Sequence, residues 1–395
     1  MTSTDETERA RQLRSELAAA VVRGERADGW RAAVETVPRH RFAPGFCLPA
    51  EKPSPQGFTR WEPVTAKLDP ERWLAAVYTN QSLVTQLDGD EPDWDRPEPH
   101  GGGSPTSSST LPSLVLRMWE DADLAEGQDI LEIGTGSGYS TALACERYGS
   151  DAITSLEVDD HRLEQAATAL YGLGYTPDLA VADGLYGYWP SAPFDRIVAA
   201  CSVLTVPRSW IAQTRPGGKI LTTLGGWQFG FGRTLLTVHE DGTASGPLLP
   251  GTVSFMLARP HQAPGFGNPA HWNSLLTDVP PTTARHTVDW LTAATEKAFF
   301  TRFLVQSALP NSQITTVDGT TFLIDVTTGS VAALAPEGDL LRVRQAGPLR
   351  LWDRVEEILG AHTAAGHPGP ETFRLTVDAA GQHLQHPEMP VISLE

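Results

Sequence analysis

No stretch of this sequence approaches the roughly 20 consecutive apolar residues that a membrane helix needs, so a membrane span is not expected. The first residues, MTSTDETERARQLRSEL, carry charge and lack an apolar core, which predicts no secretory signal and a cytoplasmic location. Cysteine is scarce. Cys47, Cys145 and Cys201 are far apart and odd in number, which argues against a disulfide framework and against a cysteine-based zinc site. No HExxH motif occurs among the scattered histidines. His383 and His386 fall on a strand-like segment, where their spacing sends them to opposite faces, so no metal is expected. Basic residues are also short. Lys and Arg number 30 against 48 Asp and Glu, a formal net charge of −18. Such a field repels a phosphate backbone, so nucleic acid is not an expected partner, whereas a basic peptide segment or a neutral small molecule is easier to accommodate.

What remains is an ordinary globular composition, and 395 residues suffice for two domains and a large core. No internal repeat is present. Residues 6–22 place Leu13, Leu17 and Val21 at helical spacing. The Pro-rich VPRHRFAPGF (37–46) reads as irregular, and a short element is expected around Tyr78. Residues 86–105, QLDGDEPDWDRPEPHGGGSP, read as an acidic loop or flap. From residue 113 the pattern changes: helix SLVLRMWEDADL, strand DILEI, helix YSTALACERYG, strand ITSLEV, helix DHRLEQAATALYGLG, strand DLAVA, strand FDRIVAA, helix VPRSWIAQT, a turn at RPGG and strand KILTTLG. Strands alternating with helices predict a mostly parallel sheet covered on both faces. TLLTVHEDGTASG and GTVSFMLAR read as two further β-runs, and 260–281 as a linker. The remainder reads as an α+β appendage: a helix over TVDWLTAATEKAFFTRFLVQSAL, strands at TTFLIDV, SVAALA, LLRVRQA and FRLTVD, and a helix over LRLWDRVEEILGAH. The expected division is 1–105 (helical segment and acidic insertion), 106–260 (catalytic core) and 261–395 (accessory α+β domain).

The strongest chemical signal is LEIGTGSGYS (131–140) at a strand-to-helix turn. Gly134, Gly136 and Gly138, with Thr135 and Ser137 between them, let backbone approach a ligand, and the next helix offers N–H groups to an anion. A nicotinamide fingerprint would be GxGxxG. Here the spacing is GxGxG, with Glu132 two residues ahead and Tyr139 at the position of the last glycine. That favours S-adenosylmethionine (SAM), with S-adenosylhomocysteine as product: its carboxylate needs N–H donors and its ammonium an acceptor such as Glu132. Glu157, followed by Val158, ends the second strand and is expected to hold the ribose hydroxyls. Asp183, followed by Gly184, ends the third and is expected beside the adenine amino group. Tyr188 and Trp189 read as core aromatics before they read as pocket walls, and Cys201 as a small buried hydrophobe.

Just before the core lies SPTSSSTLPS (104–113). By composition it is a linker. Its place, ahead of a helix and one element before the glycine loop, makes it a candidate site edge.

DGLYGYWPSAPFDRIVAACSVLTVPRSWIAQTRPGGKILTTLG resembles the protein-L-isoaspartate O-methyltransferases, as do LYGLGY (170–175) and VPRHRFAP (37–44). The resemblance spans roughly residues 5–260. It implies a Rossmann-like class I SAM-dependent methyltransferase, an α/β fold with a C-terminal α+β domain appended. It implies further that Pro112 closes the substrate segment, that Thr110 and Ser109 aim the acceptor carboxylate, that Ser107 and Ser108 assist, and that Tyr78 lies near the substrate peptide or packs as an aromatic. The family's Thr-Ile-Ser-Gln-Pro is replaced by Ser108-Ser109-Thr110-Leu111-Pro112, and its Ala-rich turn by Ala199-Ala200-Cys201-Ser202-Val203. With the acidic insertion and the C-terminal domain, these departures resemble a branch associated with ribosomally made, modified peptides such as graspetides and lanthipeptides. That branch implies a modified precursor peptide as partner, methylation of one L-aspartate and collapse of the ester to an aspartimide. General isoaspartyl repair is the alternative, and a non-catalytic SAM-fold peptide-binding module is a third reading.

Overall fold

A computed structural model describes the backbone of residues 3–22, 27–53 and 58–394. The first two residues of the N-terminal stretch, and parts of the expected 1–105 segment, lie outside the described residues. Two compact units are present: one runs up to Ala200 and takes in Ala212–Leu221, the other comprises Cys201–Ile211 and the chain from Thr222 onward. The division therefore falls inside strands Phe194–Val203 and Thr214–Leu224, not at 105 or 260.

In the first unit, helix Ser3–Val21 buries Ala10, Leu13, Leu17 and Ala18 on one stripe, as its spacing demands. A second helix, Ala27–Thr36, was not expected. Neither was the sheet that follows. Strands His100–Gly101, Arg60–Thr65, Gly45–Pro49, Leu83–Leu87 and Pro105–Ser109 lie in that order, every neighbouring pair antiparallel. The serine run is thus an edge strand rather than a linker, with Leu83 opposite Ser109 and Val84 opposite Ser108. The acidic segment is the connection between the last two strands and does not hang free. Trp94 packs with Cys47, Trp61, Val84 and Leu87. Glu91 reaches helix Asp160–Tyr171, 3.5 Å from Arg162 and 3.0 Å from the Gln165 amide.

The parallel sheet of this unit matches the expectation closely. Strands Phe194–Val203, Ile130–Ile133, Ile153–Glu157 and Asp178–Val181 are neighbours in that order, with Ile133 level with Leu156 and Glu157 level with Val181. Their apolar runs (Ile130, Leu131, Ile133, Ile153, Leu156, Ile197, Val198) are buried, as a sheet covered on both faces requires. RPGG is not a separate turn but lies within strand Thr214–Leu224.

The second unit holds the antiparallel strands of the ten-stranded sheet and a separate five-stranded antiparallel sheet. The hairpin Gly232–Val238 with Ala244–Pro247 follows the Asp-Gly turn signal, and Ala244–Pro247 pairs on with Arg374–Asp378, Gly381–His386 and Met389–Ser393. That pairing is why no boundary falls at 260. GTVSFMLAR forms no strand beyond a single bridge from Leu257 to Ser202. The other sheet orders Thr282–Thr283, Leu340–Ala346, Val331–Glu337, Thr320–Asp325 and Ser312–Val317. The supposed linker contains helix Pro269–Leu276, whose Trp272 and Leu276 cover Phe322, Ile324 and Val331. Helices Glu296–Ala308 and Leu351–Ala364 complete the unit, and residues 289–291 form a separate short turn ahead of the first. No helix among the described residues is long and apolar enough to cross a membrane.

Gly45 leaves the space that Trp94 fills: a Cβ there would lie 2.3 Å from the indole ring. Gly45→Ala should expel the ring and cost about 1–3 kcal/mol. Limited proteolysis should then cut within 88–104 faster than in the parent, and an unchanged cleavage rate would show that Trp94 does not hold the segment.

Candidate functional site

Strand Ile130–Ile133 ends in the glycine loop, and helix Tyr139–Tyr148 follows with no side-chain cap at its N-terminus. Gly138 sits at φ +86°, where only glycine is relaxed, and a Cβ on it would come within 3.1 Å of Ala166 Cβ. Gly136, at φ +54°, faces the serine strand: its missing Cβ would lie 3.5 Å from the Ser108 carbonyl oxygen. The loop and the serine edge are therefore neighbours.

Two carboxylates shape the loop. Glu157 Oε2 accepts from the Gly136 N–H at 2.8 Å, and its Oε1 accepts from Val158 and Asp159 at 2.9 and 3.2 Å. This fixes the acid at the carboxyl end of its strand, where open α/β sheets bind ligands. Glu132 is fully buried. Its Oε2 accepts from Thr141 Oγ1 at 2.6 Å and Ser155 Oγ at 2.8 Å, and burial raises its pKa while the hydroxyls of Ser140, Thr141 and Ser155 oppose the rise. It braces the loop from beneath. Its Oε1 has no hydrogen-bond partner among the described residues. Thr135 and Ser137 are buried, and Thr135 shares a 2.8 Å hydrogen bond with Ser155. Asp183 accepts from the Leu185 N–H at 3.0 Å. Val158 is exposed. Gly184 is pressed on Ile133, 2.3 Å from where its Cβ would be. The loop, Glu157, Val158, Asp183 and Gly184 therefore gather at the ends of three adjacent parallel strands. A helix N-terminus with no side-chain cap suits an anionic group, and the acids at the strand ends suit hydroxyl or cationic groups, which fits a ligand that carries both charges.

The hydroxyl run divides by strand alternation. Ser107 and Ser109 turn inward and are buried; Ser108 and Thr110 remain partly exposed. Ser107 Oγ accepts from Thr85 at 3.1 Å, and Ser109 Oγ lies 3.4 Å from Arg39 Nε. Ser107 and Ser109, expected to touch the substrate, are consequently parts of the packing. Tyr78 packs as an aromatic, one of its two expected roles: it is buried, and its hydroxyl lies 2.6 Å from His40 Nδ1. Trp189, read as a core aromatic, is 63% exposed, and Tyr188 is half-buried. Cys201 is half-buried, not a sealed hydrophobe.

Sequence reasoning missed the residues that hold this edge. Arg39 is fully buried and donates to the carbonyls of Val77 (2.8 Å), Thr79 (2.9 Å), Gln81 (3.0 Å), Ser109 (3.0 Å) and Thr110 (3.1 Å). Asn80 Oδ1 accepts from the Ser113 N–H and Ser82 Oγ from the Leu111 N–H, which together anchor the start of helix Pro112–Asp121. Gln86 ties the serine sheet to Asp159 Oδ2 at 2.8 Å. The only signals were VPRHRF and the polar TNQS, and neither names its partners.

Parallel strands in this order, with a GxGxG turn after the first and acids after the next two, define the Rossmann-like class I methyltransferase fold. Residues 89–230 match the family described as protein-L-isoaspartate(D-aspartate) O-methyltransferase. A protein-L-isoaspartate O-methyltransferase of Thermococcus onnurineus (strain NA1) is 37% identical over 135 residues, 34% of this chain and 60% of the relative. Protein-L-isoaspartate O-methyltransferase 2 of Archaeoglobus fulgidus is 36% identical over 133 residues, 33% of this chain and 59% of its own. The chain thus spans about 60% of the length of these relatives. A solved protein-L-isoaspartate O-methyltransferase structure superposes with a TM-score of 0.50 at 20% identity, over 96% of this chain and 99% of that one, a likeness of fold.

His40, between Tyr78 and Trp73, has its pKa lowered from 6.5 to about 4, first by burial and then by Arg14 and Arg41. The unfolded chain takes up that proton near pH 6.5 and the folded chain only near 4. The stabilisation is full above pH 6.5 and is lost as pH falls toward 4, by ~2 kcal/mol after allowance for the ring's partial contact with water. Melting temperature should fall across that window, and His40→Gln should flatten the slope; an equal slope in the variant would assign the acid sensitivity elsewhere.

Proposed function

We propose that this chain is a SAM-dependent protein carboxyl O-methyltransferase that methylates the free α-carboxylate of an isoaspartyl residue. The observation that carries the reading is the approach of the Ser108 carbonyl to the Gly136 turn, which puts the segment bearing the partly exposed Ser108 and Thr110 beside the glycine loop. Bound SAM supplies an electrophilic methyl on a sulfonium. Glu157 would hold the ribose, Asp183 with Gly184 and Val158 would flank the adenine, and the helix N-terminus after Gly138 would face the methionyl carboxylate. Glu132, sealed from water, would act by holding the loop through Thr141 and Ser155.

An ionised carboxylate is already a nucleophile, so no general base is needed, and the work left to the protein is alignment. Thr110 and Ser108 suit it. Their hydroxyls make no side-chain hydrogen bond among the described residues, and a neutral donor can hold one carboxylate oxygen without quenching the other. The acidic surface favours a basic or neutral peptide around the acceptor.

A second reading is supported by the departures at Ser108-Ser109-Thr110-Leu111-Pro112 and Ala199–Val203. In it the acceptor is one L-aspartate of a macrocyclic, ribosomally made precursor peptide, and the methyl ester closes to an aspartimide. Two matched peptides, one with isoaspartate and one with L-aspartate, each offered linear and cyclised, separate the readings. The main reading expects methyl gain on both isoaspartyl forms by intact mass; labelling of the cyclic L-aspartyl form alone would replace it with the second. Failure to bind SAM in calorimetry would remove both.

Thr110→Ala should lower kcat by about 10–100-fold with SAM affinity unchanged. Full activity in this variant would return the strand to a purely structural role.

A further inference from the structure

Arg39 is a cation sealed from water with no carboxylate among its hydrogen-bond partners. Six acceptors share its five N–H groups: five backbone carbonyls and the Ser109 hydroxyl. Three of the carbonyls belong to residues 77–81 and two to Ser109 and Thr110. Its guanidinium carbon lies 5.5 Å from the centroid of Tyr139, the first residue of the helix after the glycine loop. The side chain therefore touches both halves of the candidate site, the serine edge and the start of the loop helix.

A buried charge is costly, and an apolar residue would fill the space without that cost. What an apolar residue lacks is a rigid planar fork of donors. Lysine lacks it too, since its three donors pivot about one nitrogen. We propose that Arg39 is a positioning residue for methyl transfer: by fixing the Ser109 and Thr110 carbonyls against the Tyr139 end of the loop helix, it sets the distance and angle at which the Thr110 hydroxyl presents the acceptor carboxylate. This rests on the carboxyl methyltransferase reading above. It predicts an effect on turnover that exceeds any effect on binding either substrate.

The test uses the full chain carrying Arg39→Lys, with Arg39→Gln as a second variant that keeps a planar donor and loses the charge. SAM affinity is measured by calorimetry, kcat and KM on the isoaspartyl peptide at saturating SAM, and amide exchange over residues 106–116 by mass spectrometry. In the variants, SAM affinity and peptide KM should stay within about threefold while kcat falls at least about tenfold, the mark of lost alignment. Amide exchange should rise over 106–116 and not over strand Ile130–Ile133. A folded variant with parental kcat overturns the proposal, as does a loss of kcat that matches only the fraction unfolded. If the parent enzyme methylates none of the four peptides, the functional reading fails separately. The exchange measurement still decides on Arg39, because unchanged protection over 106–116 would show that it does not hold the edge.

Discussion

A guanidinium enclosed by peptide carbonyls organises the first unit. Arg39 carries its charge in the interior, where burial lowers its pKa to about 10 and leaves it protonated at neutral pH. Desolvating such a group costs several kcal/mol, and no carboxylate offsets it. The offset comes from carbonyl dipoles that point inward from Val77, Thr79, Gln81, Ser109 and Thr110. These segments are also joined by the irregular pairing of Leu83–Leu87 with Pro105–Ser109 and by Ser82 and Asn80, which accept from the Leu111 and Ser113 N–H groups. The depth of Arg39 thus dictates where the serine strand ends and where helix Pro112–Asp121 begins.

The glycine loop is held by a different means. Glu132 takes hydroxyl donors from Thr141 and Ser155, and Glu157 takes the Gly136 N–H of the turn itself. The partners in both arrangements belong to the chain itself. Preorganisation of this kind removes ordering costs from the binding step.

Much of this was legible in the sequence, for definite reasons. Ile130–Ile133 and its three parallel neighbours are short apolar runs punctuated by glycine and acids, and local pattern suffices to find them. GTGSG and the acids after it mark their own places because the chemistry is contiguous. The N-terminal sheet was not legible. Strands such as Arg60–Thr65 and Gly45–Pro49 contain Pro, Gly and charge, and they exist because Trp94, Trp61 and Val84 close over them from distant positions. Ser107 and Ser109 were misjudged for a related reason. Composition distinguishes a hydroxyl from a methyl, but only the pairing with Leu83 and Gln86 tells which hydroxyls face the interior. Arg39 was invisible because its partners are main-chain oxygens, which leave no trace in residue identity.

The alternation along Pro105–Ser109 also bears on how the acceptor preference of such a chain can drift. Inward Ser107 and Ser109 are tied to Thr85 and Arg39, so a change there is felt by the fold. Outward Ser108 and Thr110 carry no such debt to the interior. Selection can exchange the outward side chains one at a time, testing new acceptors while stability stays level. On the proposed reading, acceptor preference can therefore change along alternate residues of one strand at little cost to the fold.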